Sequence, residues 1–526
     1  MGWATTRENR NQLVLFPTRL DEAIDADHRV RVLDDILGML DWSAWEASYK
    51  LRLGQPPIHP RVLAGVILYG LMTKIRSSRM LEEALQVRLD FRWLAEGRSI
   101  DHSTISEFRR KNPQALQRTF VQIGLVARQI GCLPLQSLAF DGTRMRSNNR
   151  RSGTRTPDEL RKMKKDLAEK FKELEGQSNA ADRADEEQLG SDSAHAVSDE
   201  LADVGQRKQR MAAALAELKR IEEAGEDEPK RLPLTDPDSR VMPNKDGGFA
   251  PNYTPTATVD VDSGMVVSAD VLRDINEDHQ LIASLKDVQE QFGLESPVPE
   301  VLADGLMATG ANLTDCEAQG IDLYSPVKCS PCEANPAIRE DLTQPVSTED
   351  YARLPTQKIT RAGEKSTQLS KPAFVYDEES DCYWCPAGKQ LDYQNTTTEK
   401  TKRGTERVRR RYAASPEQCA QCPLKSVCVS GKAKSRLINR EQHESQRQSH
   451  AAKMATDEAK QKYARRAPVN ERPFAAIKQH FGARQFLLRG LDSVRQEWTW
   501  LVSAFNIRIL IGLLASGAGP PAPAPL

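Results

Sequence analysis

Two short apolar runs in this chain end in the same way. Leu133–Phe140 leads into Asp141-Gly142, and Val298–Ala303 leads into Asp304-Gly305. Apolar runs of this length bounded by turn residues read as buried strands. Between them, Thr256–Asp260 and Met265–Val271 flank Asp262-Ser-Gly264 as a hairpin, and a helix is expected over Asp278–Phe292. Such a chain must close a sheet from strands far apart in sequence. It would carry two carboxylates at strand ends, where side chains leave the core and ligands collect. Asp-Gly is also an ordinary turn, and either aspartate taken alone fits that reading.

The 526 residues are enough for several domains. No run of 18 apolar residues occurs, and the most apolar stretch, Leu501–Ala515, contains Asn506 and Arg508, which argues against a membrane span. The first residues lack an apolar signal core, so a cytoplasmic, nucleoid-associated protein is expected. Lys+Arg and Asp+Glu both number 74, which excludes a globally basic nucleic-acid binder. The neutrality is a cancellation, however. Residues 173–228 hold 16 acids and 6 bases, whereas residues 461–495 hold 8 bases and 2 acids, and residues 400–411 hold 7 bases and 1 acid.

Residues 10–130 read as mostly helical. Ile58–Leu71 and Met80–Leu94 have helical apolar spacing, and Asp101 or Ser103 can cap a helix bearing Ile105 and Phe108. Arg109, Arg110 and Lys111 at its end could contact DNA phosphates or form a solvated basic face. Residues 150–232 carry two apolar stripes, Leu160, Met163, Leu167, Phe171, Leu174 and then Met211, Leu215, Leu218, Ile221, separated by a polar acidic segment. That pattern predicts a charged helical hairpin with an unstructured tip. A third acid, Glu471, precedes Lys478 by seven positions, so a helix would present both on one face.

Together, Asp141, Asp304 and Glu471 resemble the acids of DDE-type insertion-sequence transposases with a Tyr-Arg-Glu-Lys-like signature, here Tyr463, Arg466, Glu471 and Lys478. Asp141-Gly-Thr-Arg, Asp101-His-Ser-Thr-Ile-Ser-Glu-Phe-Arg and Arg489-Gly-Leu-Asp-Ser-Val-Arg-Gln-Glu497 match as well. The sequence departs from the family at Asp304-Gly-Leu-Met, where Asp-x-Gly-Tyr is usual, and by one extra residue between Arg466 and Glu471. Glu497 is the rival third acid but lacks a Lys partner.

The resemblance implies a mixed α+β fold: a helical N-terminal DNA-binding domain and an RNase H-like catalytic domain with helical-hairpin and Cys-rich, zinc-ribbon-like insertions. The corresponding segments are 1–130, 131–149, 150–245 (hairpin), 246–328, 329–455 (Cys-rich), 456–514 and a disordered tail, 515–526. It also implies a two-metal Mg²⁺ or Mn²⁺ site on Asp141, Asp304 and Glu471 that cleaves DNA and transfers strands at terminal inverted repeats, in a synaptic homodimer. Tyr463, Arg466 and Lys478 would contact the DNA. The alternatives are a domesticated DNA-binding copy and an RNase H-like nuclease without strand transfer.

Nine cysteines, an odd and clustered set, favour metal binding over disulfides in a reducing compartment. Cys382-Tyr-Trp-Cys385, Cys419-Ala-Gln-Cys422 and Cys428 offer five thiols for the four positions of a structural Zn²⁺ site. The resemblance favours Cys385, Cys419, Cys422 and Cys428, with Cys382 as the alternative. Cys329 and Cys332 form a further pair, and Cys132 and Cys316 read as packing residues. The loop Lys400–Arg411, with Arg409, Arg410 and Arg411, reads as a phosphate-contacting surface.

Overall fold

The computed structural model describes residues 19–516 apart from 50–55, 150–152, 190–198, 227, 245–246, 328–334, 362–363, 401–405 and 430–432. Cys329, Cys332, the middle of the acidic segment and the C-terminal tail therefore lie outside the described residues. Helix makes up 49% and strand 18%, a mixed α and β architecture. The chain divides into two compact units, one of residues 1–217, 229–301 and 465–526, the other of residues 218–228 and 302–464.

The first unit begins with helices α1 (Arg29–Gly38), α2 (Pro60–Met72), α3 (Ser78–Val87), α4 (His102–Arg110) and α5 (Pro113–Gln129). His59 caps α2 by accepting the Arg61 amide, and Pro60 supplies the first-turn position that needs no N–H. Nearly every side chain of α2 is buried, so it is the hub of this bundle. Gly70 has no room for a Cβ, which would stand 2.9 Å from the Ile75 carbonyl oxygen. The expected Met80–Leu94 helix is broken at Arg88, whose extended backbone ends α3. Asp101 caps α4, accepting the Ser103 and Thr104 amides at 2.8 and 2.9 Å.

The sheet of this unit is built around one long strand. β1 (Ser137–Gly142), β2 (Met145–Arg146), β3 (Arg240–Pro243) and β5 (Val266–Leu272) all pair antiparallel with β4 (Phe249–Asp260). Asp141 stands opposite Ala257 in the β1–β4 register. The hairpin expected around Asp262-Ser-Gly264 is the β4–β5 turn. Asp260 accepts the Ser263 amide and hydroxyl there, and Gly264 takes φ +74°. β6 (Glu300–Ala303) neighbours β1 on the side away from β4.

Helices α6 (Pro157–Leu189) and α7 (Asp199–Glu223) correspond to the two stripes, with the Lys208 ammonium 4.0 Å from the Phe171 ring centre. α8 (Leu281–Gln291) packs on β5, and the chain returns as α9 (Arg466–Ala475) and α10 (Leu491–Ala515). α10 is the one described helix long and apolar enough to cross a membrane, yet 67% of its apolar window is buried within the fold, against β5, α5 and α2.

The second unit holds a helix Gly310–Ala318, a strand Asp322–Tyr324, a hairpin Thr356–Arg361/Glu364–Leu369 and helices Glu444–Ala455 and Asp457–Ala464. It also contains an antiparallel sheet of β7 (Val375–Asp377), β8 (Cys382–Trp384), β9 (Gln390–Lys400), β10 (Glu406–Ala414) and β11 (Leu437–Glu441). The basic segment read as a loop is strand where it is described, with Lys400 ending β9 and residues 406–411 opening β10. Only a few side chains point inward, with Leu391, Tyr412 and Ile438 burying one face, so their apolar signal is diluted by the arginines between them.

Candidate active site

Asp141 is the penultimate residue of β1, where the strand leaves the core. One carboxylate oxygen accepts the Gly142 amide at 2.9 Å and the other accepts Arg466 Nη2, also at 2.9 Å. A Cβ at Gly142 would lie 2.9 Å from the Glu277 carboxyl group, so Glu277 would have to shift to admit one. Glu277, in the loop between β5 and α8, is only 8% exposed. Asp304 immediately follows β6 and accepts the Leu306 amide at 2.8 Å. Asp141 and Glu277 belong to the first unit, where the Glu277 carboxyl group lies over Gly142 beside Asp141. Carboxylate oxygens of this kind are the donors that a hard divalent cation takes.

Helix α9 lies across the end of β1. Arg466 reaches Asp141, and Asn470, one helical turn further on and fully buried, donates to the Phe140 carbonyl at 3.2 Å. Glu471, the next residue, is exposed on the flank of this face and does not close on Asp141 and Glu277. Between Glu471 and Lys478, Pro473 falls inside α9 and residues Ala476–His480 form a π-helical turn. A proline in a helix interior removes one backbone hydrogen bond and crowds the preceding turn, and a widened turn shifts every later side chain. Lys478 accordingly meets the loop after β1, donating to Thr143 Oγ1 at 2.5 Å and to the Arg144 carbonyl at 3.0 Å. Glu277 was not anticipated. Its one sequence signal is an acid just ahead of a helix start.

The remaining expected DNA contacts sort by their partners. Arg109 departs from expectation: its guanidinium is buried, donating to the Arg76 carbonyl, because Arg109 sits one turn from buried Ile105 on the inner face of α4. Arg110 is exposed. Tyr463, in the second unit, is half-buried. Arg409 pairs with Glu399, and Arg410 with Asp381 while lying over the Tyr393 ring. Arg411 makes no ion pair among the described residues. Glu497, the rival acid, is fully engaged elsewhere, accepting Arg76 Nη2 at 2.7 Å and the Leu487 and Leu488 amides.

In the second unit, Cys385, Cys419, Cys422 and Cys428 line one cavity together with Lys389 and Arg436. Burial pushes the Cys428 thiol up to about 12 and raises that of Cys385. Cys382 does not line this cavity; it is buried in β8. Among the described residues no three cysteines close to within 4.8 Å of one another, so the thiols share their cavity at wider spacing.

Comparison with known families gives two matches. Residues 384–511 match a transposase DDE domain, and residues 18–111 match a transposase domain of the DUF772 type. No curated protein matches the chain. The C-terminal match contains α9 with Glu471 and Lys478, and the N-terminal match contains α4. Transposase domain matches towards each end of the chain support a DDE-type insertion-sequence transposase, a metal-dependent DNA-cleaving enzyme.

Proposed function

We propose that this transposase binds the terminal inverted repeats of its element, cleaves DNA there and joins the ends to target DNA, acting as a homodimer on an RNase H-like core. The observation that carries this reading is Asp141 at the end of β1, with the Glu277 carboxyl group close by and Arg466 of a helix inside the DDE-domain match bound to it. Bound Mg²⁺ or Mn²⁺ would activate the attacking water or 3′-hydroxyl and take charge from the leaving 3′-oxygen. Asp141 and Asp304 are the acids that hold it, and Glu471 completes the catalytic set from α9. Glu277 adds a fourth carboxylate that tightens the hold. Arg466, set free from Asp141, takes a DNA phosphate, and Lys478 fixes the loop after β1 while facing the backbone. Tyr463, Arg110 and Arg411 make further DNA contacts. Cys385, Cys419, Cys422 and Cys428 hold a structural Zn²⁺.

The test is cleavage and joining of end-containing DNA across a Mg²⁺ titration. Asp141→Ala, Asp304→Ala and Glu471→Gln should each lower cleavage by at least a hundredfold. Glu277→Gln should chiefly raise the Mg²⁺ concentration required. Wild-type cleavage by Glu471→Gln with loss in Glu277→Gln would make Glu277 the third acid. Undiminished cleavage in all four variants would remove the site altogether, and cleavage without joining would identify a nuclease.

A further inference from the structure

Asp304 is held by its backbone as well as by its carboxylate. Its Oδ1 accepts the Leu306 amide and its carbonyl accepts the Met307 amide at 3.0 Å, so local bonds alone close the turn after β6. The same carbonyl accepts a second donor, the hydroxyl of Ser325. Ser325 follows the strand Asp322–Tyr324 and is fully buried, and its own carbonyl accepts His450 Nε2 at 2.6 Å. His450 is 7% exposed in the helix Glu444–Ala455. Lys453, three residues on and so on the same face, donates to the Asp322 carboxylate and to the Leu323 carbonyl, both at 2.6 Å. That helix therefore grips residues 322–325 at both ends. The fit against the Asp304 turn is close, since a Cβ at Gly305 would stand 2.8 Å from the Pro326 carbonyl oxygen. All of these residues lie in the second unit.

The Asp304 carbonyl would not be orphaned without Ser325, because the Met307 amide already satisfies it. What the hydroxyl adds is direction: it fixes the peptide plane from which the Asp304 side chain departs. An aspartate side chain is short, so its oxygens follow its backbone, and Mg²⁺ demands near-octahedral ligands at about 2.0–2.1 Å. We propose, on the reading of Asp304 as a metal-holding acid, that Ser325 and His450 are positioning residues for the metal-dependent reaction. From the helix Glu444–Ala455 they set the backbone of Asp304 so that its carboxylate meets the cation without rearrangement. Both act through Asp304, with no contact of their own to metal or DNA. Loss of such a supporting partner weakens metal affinity about ten- to a hundredfold.

The probe is Mn²⁺, titrated into the full-length protein without DNA and followed by the paramagnetic resonance of the free ion, so that binding is read independently of cleavage. Ser325→Ala and His450→Ala should each weaken Mn²⁺ binding about tenfold. His450→Gln, whose side-chain amide can donate where Nε2 does, should recover it to within about threefold of wild type. In cleavage of end-containing DNA, the two alanine variants should raise the Mg²⁺ requirement more than they lower the rate at saturation. Asp304→Ala is the control, and wild-type Mn²⁺ affinity there would remove Asp304 from the site and the proposal with it. Weakened binding in Asp304→Ala beside wild-type affinity in Ser325→Ala and His450→Ala would overturn the positioning alone. A lowered thermal midpoint in those two with unchanged Mn²⁺ affinity would do the same, and equal loss in His450→Gln and His450→Ala would overturn the part given to Nε2. Should His450→Ala not fold, Ser325→Ala, which removes one hydroxyl, decides.

Discussion

Asn506 shows how a single side chain can complete a strand. It is buried in the most apolar helix of the chain, yet its amide accepts the Val266 N–H at 2.8 Å and donates to the Val266 carbonyl at 2.7 Å. It therefore stands in for a neighbouring strand at the start of β5, and both backbone groups would be orphaned without it. Asn506→Leu should cost about 2–4 kcal/mol by denaturant unfolding, whereas the exposed neighbour Arg508→Leu should change stability little. The residue that argued against a membrane span thus has a positive role. Arg109 and Glu277 show where residue-scale reading fell short. The inward position of Arg109 was available in principle, one turn from Ile105. Glu277 approaches Asp141 only because the loop after β5 folds back over Gly142, and no local pattern records such a return.

At the scale of elements, the strands that carry the acids were readable because apolar runs ending in Asp-Gly are local signals, and so was the β4–β5 hairpin. The α9 region was not. Pro473 lies inside it, and its form, a helix running into a π-helical turn, goes with docking against β1. The cysteine-bearing sheet was equally opaque, since its strands alternate arginine with a few inward residues. Its cavity makes a specific prediction. Purified protein should contain one zinc, lost in Cys419→Ser and retained in Cys382→Ser, as measured by metal analysis. Thiols raised by burial must lose protons to bind zinc. Occupancy should therefore strengthen as pH rises from 6 towards 9, and a zinc content equal in the two variants would exclude this cavity.

Over the whole chain, the zero net charge concealed an acidic stretch and two basic ones, and the residues matched as transposase domains lie outside that acidic stretch. The first unit is knitted across great sequence distance by ion pairs such as Arg76–Glu497, whose side chains are 13% and 11% exposed. Glu497→Ala would leave two buried arginines facing each other. It should destabilise the protein by about 3 kcal/mol or more, seen as a lower denaturation midpoint, and not act merely as a catalytic lesion.

The Arg466–Asp141 pair has a consequence of another kind. On the proposed function, a divalent cation competes with the guanidinium for the Asp141 carboxylate, and a DNA phosphate competes with that carboxylate for the guanidinium. Occupation of either outer partner releases the inner one, so metal and DNA must each raise the other's affinity by the same factor. An enzyme wired this way would hold its ions weakly in the absence of DNA, and Arg466→Ala should erase the mutual enhancement in paired binding titrations. Restraint before the ends are found would then be a thermodynamic property of one ion pair.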